Sequence, residues 1–189
     1  NSGIPYTIFE AGIIVGSGSV SFEIIRDLTE KLPVMVVPRW LNSKCQPIAI
    51  RNVINYLFRC LRDEKTYFRT FEIGGPDVLS YKQMLLDFAE VRGYKRYIIA
   101  MPVVFPGLSA YWLYLTTSAN FTITKQLVES MKNDVICQEN SIQEIIPQEL
   151  ISYKEAIKMA FMRIKQNMVV SSWTDAASSS LTHLDVNQY

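Results

Sequence analysis

The stretch Tyr6–Lys31, YTIFEAGIIVGSGSVSFEIIRDLTEK, contains the change of period on which the fold turns. Tyr6 to Val15 is β-branched and aromatic with little alternation, the pattern of a strand covered on both faces, as in a parallel sheet. Gly16-Ser17-Gly18-Ser19 ends it. Ser21 is then placed to cap a helix running to about Lys31, with Phe22, Ile24, Ile25 and Leu28 on its inner face and Pro33 preventing continuation. Strand, Gly/Ser loop and helix in that order open an α/β layer.

The alternation continues outward. Leu32 to Val37 and Gln46 to Ile50 read as strands, separated by a turn with Trp40, Asn42 and Ser43. Ile50, Val53, Ile54, Leu57, Phe58 and Leu61 then recur at helical spacing and mark an amphipathic helix that ends near Arg62-Asp63-Glu64-Lys65. Tyr67 to Ile73 is another strand, stopped by Gly74-Gly75-Pro76. Ser80 and Gln83 have the spacing of a capping box for a helix that buries Met84, Leu85, Phe88 and Ala89 and stops at Gly93.

Beyond Gly93 the pattern turns mainly helical. After one strand, Arg96 to Val103, helices are expected over about 106–115 and 122–133, and a last one opens at Ser152. That one has its own capping box with Glu155 and an inner face of Ala156, Ile157, Ala160, Phe161 and Ile164. After Gln166 the chain is Ser/Thr/Ala-rich without period, a linker or tail. Three regions follow: an α/β part over 1–92, a mainly helical part over 93–166 and a tail over 167–189.

Composition narrows the function. Among 189 residues there are 19 basic and 18 acidic side chains and 49% apolar residues, so the chain is globular and lacks the basic footprint that nucleic acid requires. The apolar run from Ile98 to Leu115 is broken by Pro102, Pro106, Gly107 and Ser109, so no membrane span is expected. No cationic segment leads an apolar one at the N-terminus, and the chain reads as cytoplasmic. Cys45, Cys60 and Cys137 show no CxxC spacing and read as buried thiols in a reducing compartment, neither a disulfide framework nor a metal site. A lone His183 leaves serine-hydrolase and zinc chemistry almost nothing to work with.

Four features bear on chemistry. Gly16-Ser17-Gly18-Ser19-Val20-Ser21 imitates a GxGxxG phosphate loop but has Ser21 in place of the third glycine, and Pro38, Arg39 and Trp40 stand where the ribose-binding acid would be. It reads as an incomplete pyrophosphate loop, as a permissive turn, or as a loop whose N–H groups face a substrate. No YxxxK occurs, so a catalytic Tyr/Lys pair on one helix face is missing. Tyr111, Trp112 and Tyr114 form an aromatic cluster that serves a pocket wall or core packing. Glu10, a carboxylate inside an apolar strand, must be paired or sit at an opening.

Taken together, Ser2–Leu28, Gln46–Leu61, Phe71–Leu85 and Leu108–Ser118 resemble the second half of extended and atypical short-chain dehydrogenase/reductases. The likeness is to the bacterial NmrA-like and nucleotide-sugar-epimerase-like proteins. It implies the C-terminal portion of a Rossmann-like doubly wound sheet, followed by a helical substrate-side region. Tyr6 to Val15 would be the sixth strand, and the loop at Gly16 to Ser21 a substrate-side loop. The segment matching Pro47 to Val53 would begin the helix before the last strand.

By the same resemblance Ala11, Gly12 and Ile13 pass the nicotinamide. Glu10, Ser17, Phe22, Trp40, Pro47, Tyr111 and Trp112 fall on the substrate side, and no catalytic or metal-ligating residue is expected in the chain. Relatives commonly have Arg at Glu10 and Asp at Asn52. The glycine fingerprint, ribose-binding acid and YxxxK lie upstream in such proteins, so the chain resembles a fragment without the first five strands, inactive and free of cofactor by itself. Ser171 to Asp185 looks like a connector to a further domain.

The full-length protein would use NAD or NADP for hydride transfer with a small or sugar-like substrate. The alternative is a redox-silent NAD(P)-binding regulatory or scaffold module. An incomplete sheet would also leave an open edge and favour self-association. In a third reading the chain is complete and binds a partner through that edge.

Overall fold

Of this chain, the computed structural model describes residues 3–101 and 133–165. Strands β1 (Thr7–Ala11) and β2 (Ile14–Val15) lead through the Gly/Ser loop into helix α1 (Val20–Lys31). Strand β3 (Val34–Pro38), a 3₁₀ turn at Arg39–Asn42, and strands β4 (Lys44–Cys45) and β5 (Ile48–Ala49) precede helix α2 (Ile50–Cys60). Strands β6 (Arg69–Ile73) and β7 (Leu79–Ser80), helix α3 (Tyr81–Val91) and strand β8 (Tyr97–Met101) follow, and then helices α4 (Ser141–Ile145) and α5 (Tyr153–Lys165). The helices expected over 106–115 and 122–133, and the tail, lie outside the described residues.

The long pairings are parallel: β1 with β6, β2 with β5 and β3 with β8, while β4 and β7 run antiparallel. Strands joined through helices and paired in parallel are the mark of an α/β architecture, and the expected fold class is present. The single strand expected over Tyr6 to Val15 is broken at Gly12 and Ile13. There the chain leaves β6 and passes to β5, with the Ile48 amide donating to the Ile13 carbonyl at 2.8 Å.

That strand is also not covered on both faces. Ile8 is 46% exposed and Glu10 is exposed, while Phe9 packs inward against Tyr56 and Phe71. The physical reason is that α2 packs on one face of the β1–β6 pair, and β1 has β6 as its only ladder partner among the described residues.

The cap of α1 is Ser19, two residues before the expected Ser21. Its hydroxyl accepts from the Phe22 amide at 3.2 Å and lies 2.9 Å from the Ile14 carbonyl, to which it donates. The inner face expected for α3 is buried, and that of α5 is buried at Ala156, Ile157 and Ala160 and partly so at Phe161 and Ile164; Phe22, Phe88 and Phe161 meet with ring centroids 5.5 to 5.8 Å apart in the larger of the two cores among the described residues. The smaller core joins Ile48, Val53, Tyr56, Phe71, Ile73, Ile142 and Ile146.

Helix α2 departs most from its pattern. An amphipathic helix normally buries its apolar stripe, but here Asn52, Val53, Tyr56 and Cys60 face inward. Ile54, Leu57, Phe58 and Leu61 remain 49 to 74% exposed. The rotation follows from Asn52, whose amide donates to Gln148 Oε1 (3.0 Å) and the Glu149 carbonyl (2.8 Å). Its oxygen accepts from the Ile151 amide at 3.0 Å. With Asn52 buried and hydrogen-bonded, the stripe of Ile54, Leu57, Phe58 and Leu61, about half a turn away, points outward.

Candidate functional site

Beyond the last ladder pair of β1 and β6, Ala11 opposite Ile73, both strands run into glycines: Gly12 on one, Gly74 and Gly75 on the other. Carboxyl ends of parallel strands are where α/β sheets hold ligands. A cavity of about 350 Å³ opens there. Its floor comes from Glu10, Ala11, Gly12 and Glu72, and the segment 134–138 lies across it with Gln46 at the side.

This strap is tied down along its length. Asp134 Oδ1 accepts from the Lys44 amide (2.7 Å), the Val135 amide donates to the Lys44 carbonyl (2.8 Å), and the Val135 carbonyl accepts from the Gln46 amide (3.1 Å). Gln46 then bridges strap and turn, since its Oε1 accepts from the Cys137 amide at 3.1 Å and its Nε2 donates to the Gly75 carbonyl at 2.7 Å. Glu72 Oε2 closes the far end by accepting from the amides of Gln138 (2.5 Å) and Glu139 (3.4 Å).

The glycines make the close approach feasible. A Cβ on Gly12 would stand 2.8 Å from Val135 Cγ1, and one on Gly74 would stand 2.6 Å from Gln46 Cδ and 2.8 Å from Cys137 Sγ. On Gly75 it would fall on the carbonyl oxygen of Pro47.

Electrostatically the cavity is acidic. Glu10, Glu72 and Asp134 contribute carboxylates, Gln46 and Gln138 amides, and among the described residues no Lys, Arg or His lines it. Burial pushes the Cys137 thiol up, and the nearby Glu72 charge raises it further, so the sulfur stays protonated and is a poor nucleophile. Such a lining can accept hydrogen bonds from hydroxyl or amide groups. It is no cradle for phosphate.

The Gly16–Ser19 loop is no such cradle either. Ser19 occupies the N-terminus of α1, and a Cβ on Gly16 would lie 2.6 Å from Ile50 Cγ2, so this glycine serves packing against α2.

Glu10, Ala11 and Gly12 line the cavity, with Glu10 exposed and directly across the ladder from Glu72. Ile13 is buried just behind, and Pro47 is buried with its carbonyl against Gly75. Ser17 is half-buried in the loop before α1, and Phe22, only 3% exposed, belongs to the core with Phe88 and Phe161. Trp40 sits in the 3₁₀ turn Arg39–Asn42, and Tyr111 and Trp112 lie outside the described residues.

Sequence reasoning missed Gln46, Glu72, Asp134, Cys137 and Gln138. The Gly74-Gly75 pair was a signal of close approach for the first two, while nothing local marks the strap. A second, polar cleft of about 740 Å³ lies between the first turns of α2 and α5, where Arg51, Asn55, Gln148, Ser152 and Glu155 surround the Asn52 clamp.

Neither protein-family models nor curated proteins match the sequence. Solved structures do match the fold. The Citrobacter sp. triphenylmethane reductase complexed with NADP(H) superimposes with a TM-score of 0.61 at 16% identity, covering 83% of this chain and 54% of that one. The UDP-glucose 4-epimerase of Thermotoga maritima, solved with UDP-glucose, gives a TM-score of 0.60 at 12% identity over 88% of this chain and 48% of its own. UDP-glucuronic acid 4-epimerase from Bacillus cereus in complex with NAD gives 0.58 at 13% identity over 88% and 46%. This chain spans about half the length of each. Its fold is that of the Rossmann-like NAD(P)-binding reductases and epimerases, over roughly one half of such a chain.

Proposed function

We propose that this chain is the substrate-side half of an NAD(P)-dependent oxidoreductase or epimerase-like protein that acts by hydride transfer on a small or sugar-like substrate. The observation that carries this reading is the cavity at the carboxyl ends of β1 and β6, in a fold shared with NAD(P)-complexed reductases and epimerases. When bound, NAD(P) supplies or takes up the hydride. The backbone at Ala11, Gly12 and Ile13 passes the ring end of the cofactor, Glu10 and the cavity amides face the substrate, and the strap at 134–138 excludes water. Ser17, Phe22, Trp40, Pro47, Tyr111 and Trp112 make up or support the substrate side. The division into 1–92, 93–166 and 167–189 belongs to the same proposal, as does a cytoplasmic location, which the three free thiols support.

A second reading has one specific feature in its favour. No YxxxK occurs in the sequence, and the described cavity holds neither Tyr nor Lys, which suits a redox-silent NAD(P)-binding regulatory or scaffold module. Calorimetric titration with NAD and NADP separates these, comparing the 189-residue chain with the product of the reading frame extended about 130 residues upstream, one missing half-domain on the usual domain size. Binding by the long form alone is expected, with turnover distinguishing enzyme from module. A folded long form that binds neither cofactor would sink both.

A further inference from the structure

Three separate segments bring a carboxylate to the cavity at the carboxyl ends of β1 and β6: Glu10 on β1, Glu72 on β6 and Asp134 on the strap. Glu10 and Glu72 are partners in the parallel register, on neighbouring strands about 4.8 Å apart. Like charges set side by side destabilise a sheet, and nothing in the described packing requires this pair.

No ion pair among the described residues relieves it, since those present lie elsewhere, around α1, α3 and α5. Lys44 meets the strap through its backbone amide and carbonyl, and its side chain is not part of the lining. Glu72 and Asp134 hold the strap by accepting from the amides of Gln138 (2.5 Å) and Lys44 (2.7 Å). Those bonds need an acceptor, which a neutral amide oxygen would also supply. Glu10 is exposed and makes no hydrogen bond or ion pair among the described residues.

The negative field reaches inside, where the Cys137 thiol, already pushed up by burial, is raised further by the Glu72 charge. Glu72 lies one strand in from the edge of β1 at which, on the proposed function, further strands would add. Both it and Asp134 are fixed by bonds within this chain.

We propose that the molecule taken up in this cavity is a small organic cation, carrying an amine or another positively charged nitrogen, with Glu10 and Glu72 as its counter-charges. This rests on the reading of the cavity as the substrate side and narrows it. A phosphorylated or carboxylated substrate would be repelled by the lining, and a neutral one would leave the paired carboxylates uncompensated. A volume of about 350 Å³, at the small end of ligand pockets, suits a single-ring molecule with its charged group and not a whole dinucleotide.

The test is an NMR titration of the isotope-labelled 189-residue chain at neutral pH with three probes of similar size: benzylamine, benzyl alcohol and benzoate. The amide signals of Gly12, Gly74 and Cys137 report on the cavity. Benzylamine is expected to shift them at concentrations about tenfold below benzyl alcohol, an advantage that high salt reduces, and benzoate to leave them unmoved. Glu10→Gln should cut that advantage about fivefold. So should Glu72→Gln, whose amide oxygen still accepts from Gln138, with the strap amides as protected from hydrogen exchange as before. Benzyl alcohol or benzoate binding as well as benzylamine, no shift with any probe, or full preference in both variants would each overturn the inference. The reading it rests on fails separately, through a folded longer form that binds neither NAD nor NADP.

Discussion

Adding one carbon to Gly75 would drive it into the Pro47 carbonyl, which is backbone and has nowhere to go. Gly75→Ala is therefore expected to cost about 2 to 4 kcal/mol, read as a lower urea midpoint. At Gly12 an added Cβ presses first on the Val135 side chain, at 2.8 Å, so Gly12→Leu should displace the strap more than unfold the protein. On the proposed function it weakens cofactor binding in the longer form, and unchanged affinity in a folded variant would refute that placement.

Cys45 supplies a pH prediction. Burial pushes its thiol up to about 12, and it raises Tyr81 and Tyr153 likewise. The folded state keeps protons that the unfolded chain releases above the ordinary thiol value of 9.0, so stability is full below that pH and falls as pH rises toward 12. Urea midpoints measured across that range should decline, less steeply in Cys45→Ala. At this scale the sequence left Glu10 as a carboxylate either paired or at an opening, and the structure leaves it exposed across the ladder from Glu72. Gln46 and Asp134 were not, because the Lys44–Asp134 contact joins residues 90 positions apart.

At the scale of the element, α2 separates propensity from packing. Tyr56→Ala, on the buried side, should cost about 3 to 5 kcal/mol, as for other large buried rings. Phe58→Ser should stay within about 0.5 kcal/mol of the parent. If the two changes cost the same in chemical denaturation, the orientation of the helix given above is wrong. Asn52→Asp is the sharper case. The carboxylate still accepts from the Ile151 amide but has no proton for Gln148 Oε1 or the Glu149 carbonyl, so two acceptors then face a negative charge. A loss of about 2 kcal/mol is expected, with Gln148 to Ile151 loosening first in hydrogen exchange. The periodicity of α2 predicted a helix and its length. It could not choose between two sides, because Asn52 is polar and only its remote partners make it worth burying.

For the whole molecule, the main consequence of the topology is that β1 has β6 as its one ladder partner among the described residues. Among the described residues the other side of β1 has no strand beside it, the arrangement that leaves N–H and C=O groups open to a further strand, and Ile8 on β1 is 46% exposed. We expect association that grows with concentration in light scattering, and a charged residue at Ile8 should suppress it without affecting α3 or α5. A strictly monomeric particle at high concentration would count against the open edge as a contact surface.

What the sequence alone determined was local: strand, loop and helix in alternation, the inward faces of α3 and α5, the absence of a Tyr/Lys pair, and thiols without a disulfide pattern. Each follows from neighbours within one or two turns, where spacing by itself states which side chains share a face. Tertiary structure alone decided that α2 turns its apolar stripe outward and that an acidic cavity forms where Glu10 meets Glu72 under a strap. Those outcomes depend on contacts across 60 or more residues, such as Gln138 to Glu72 and Asn52 to Gln148. Such pairs carry no periodicity, so only the packed chain shows which of the available partners meet.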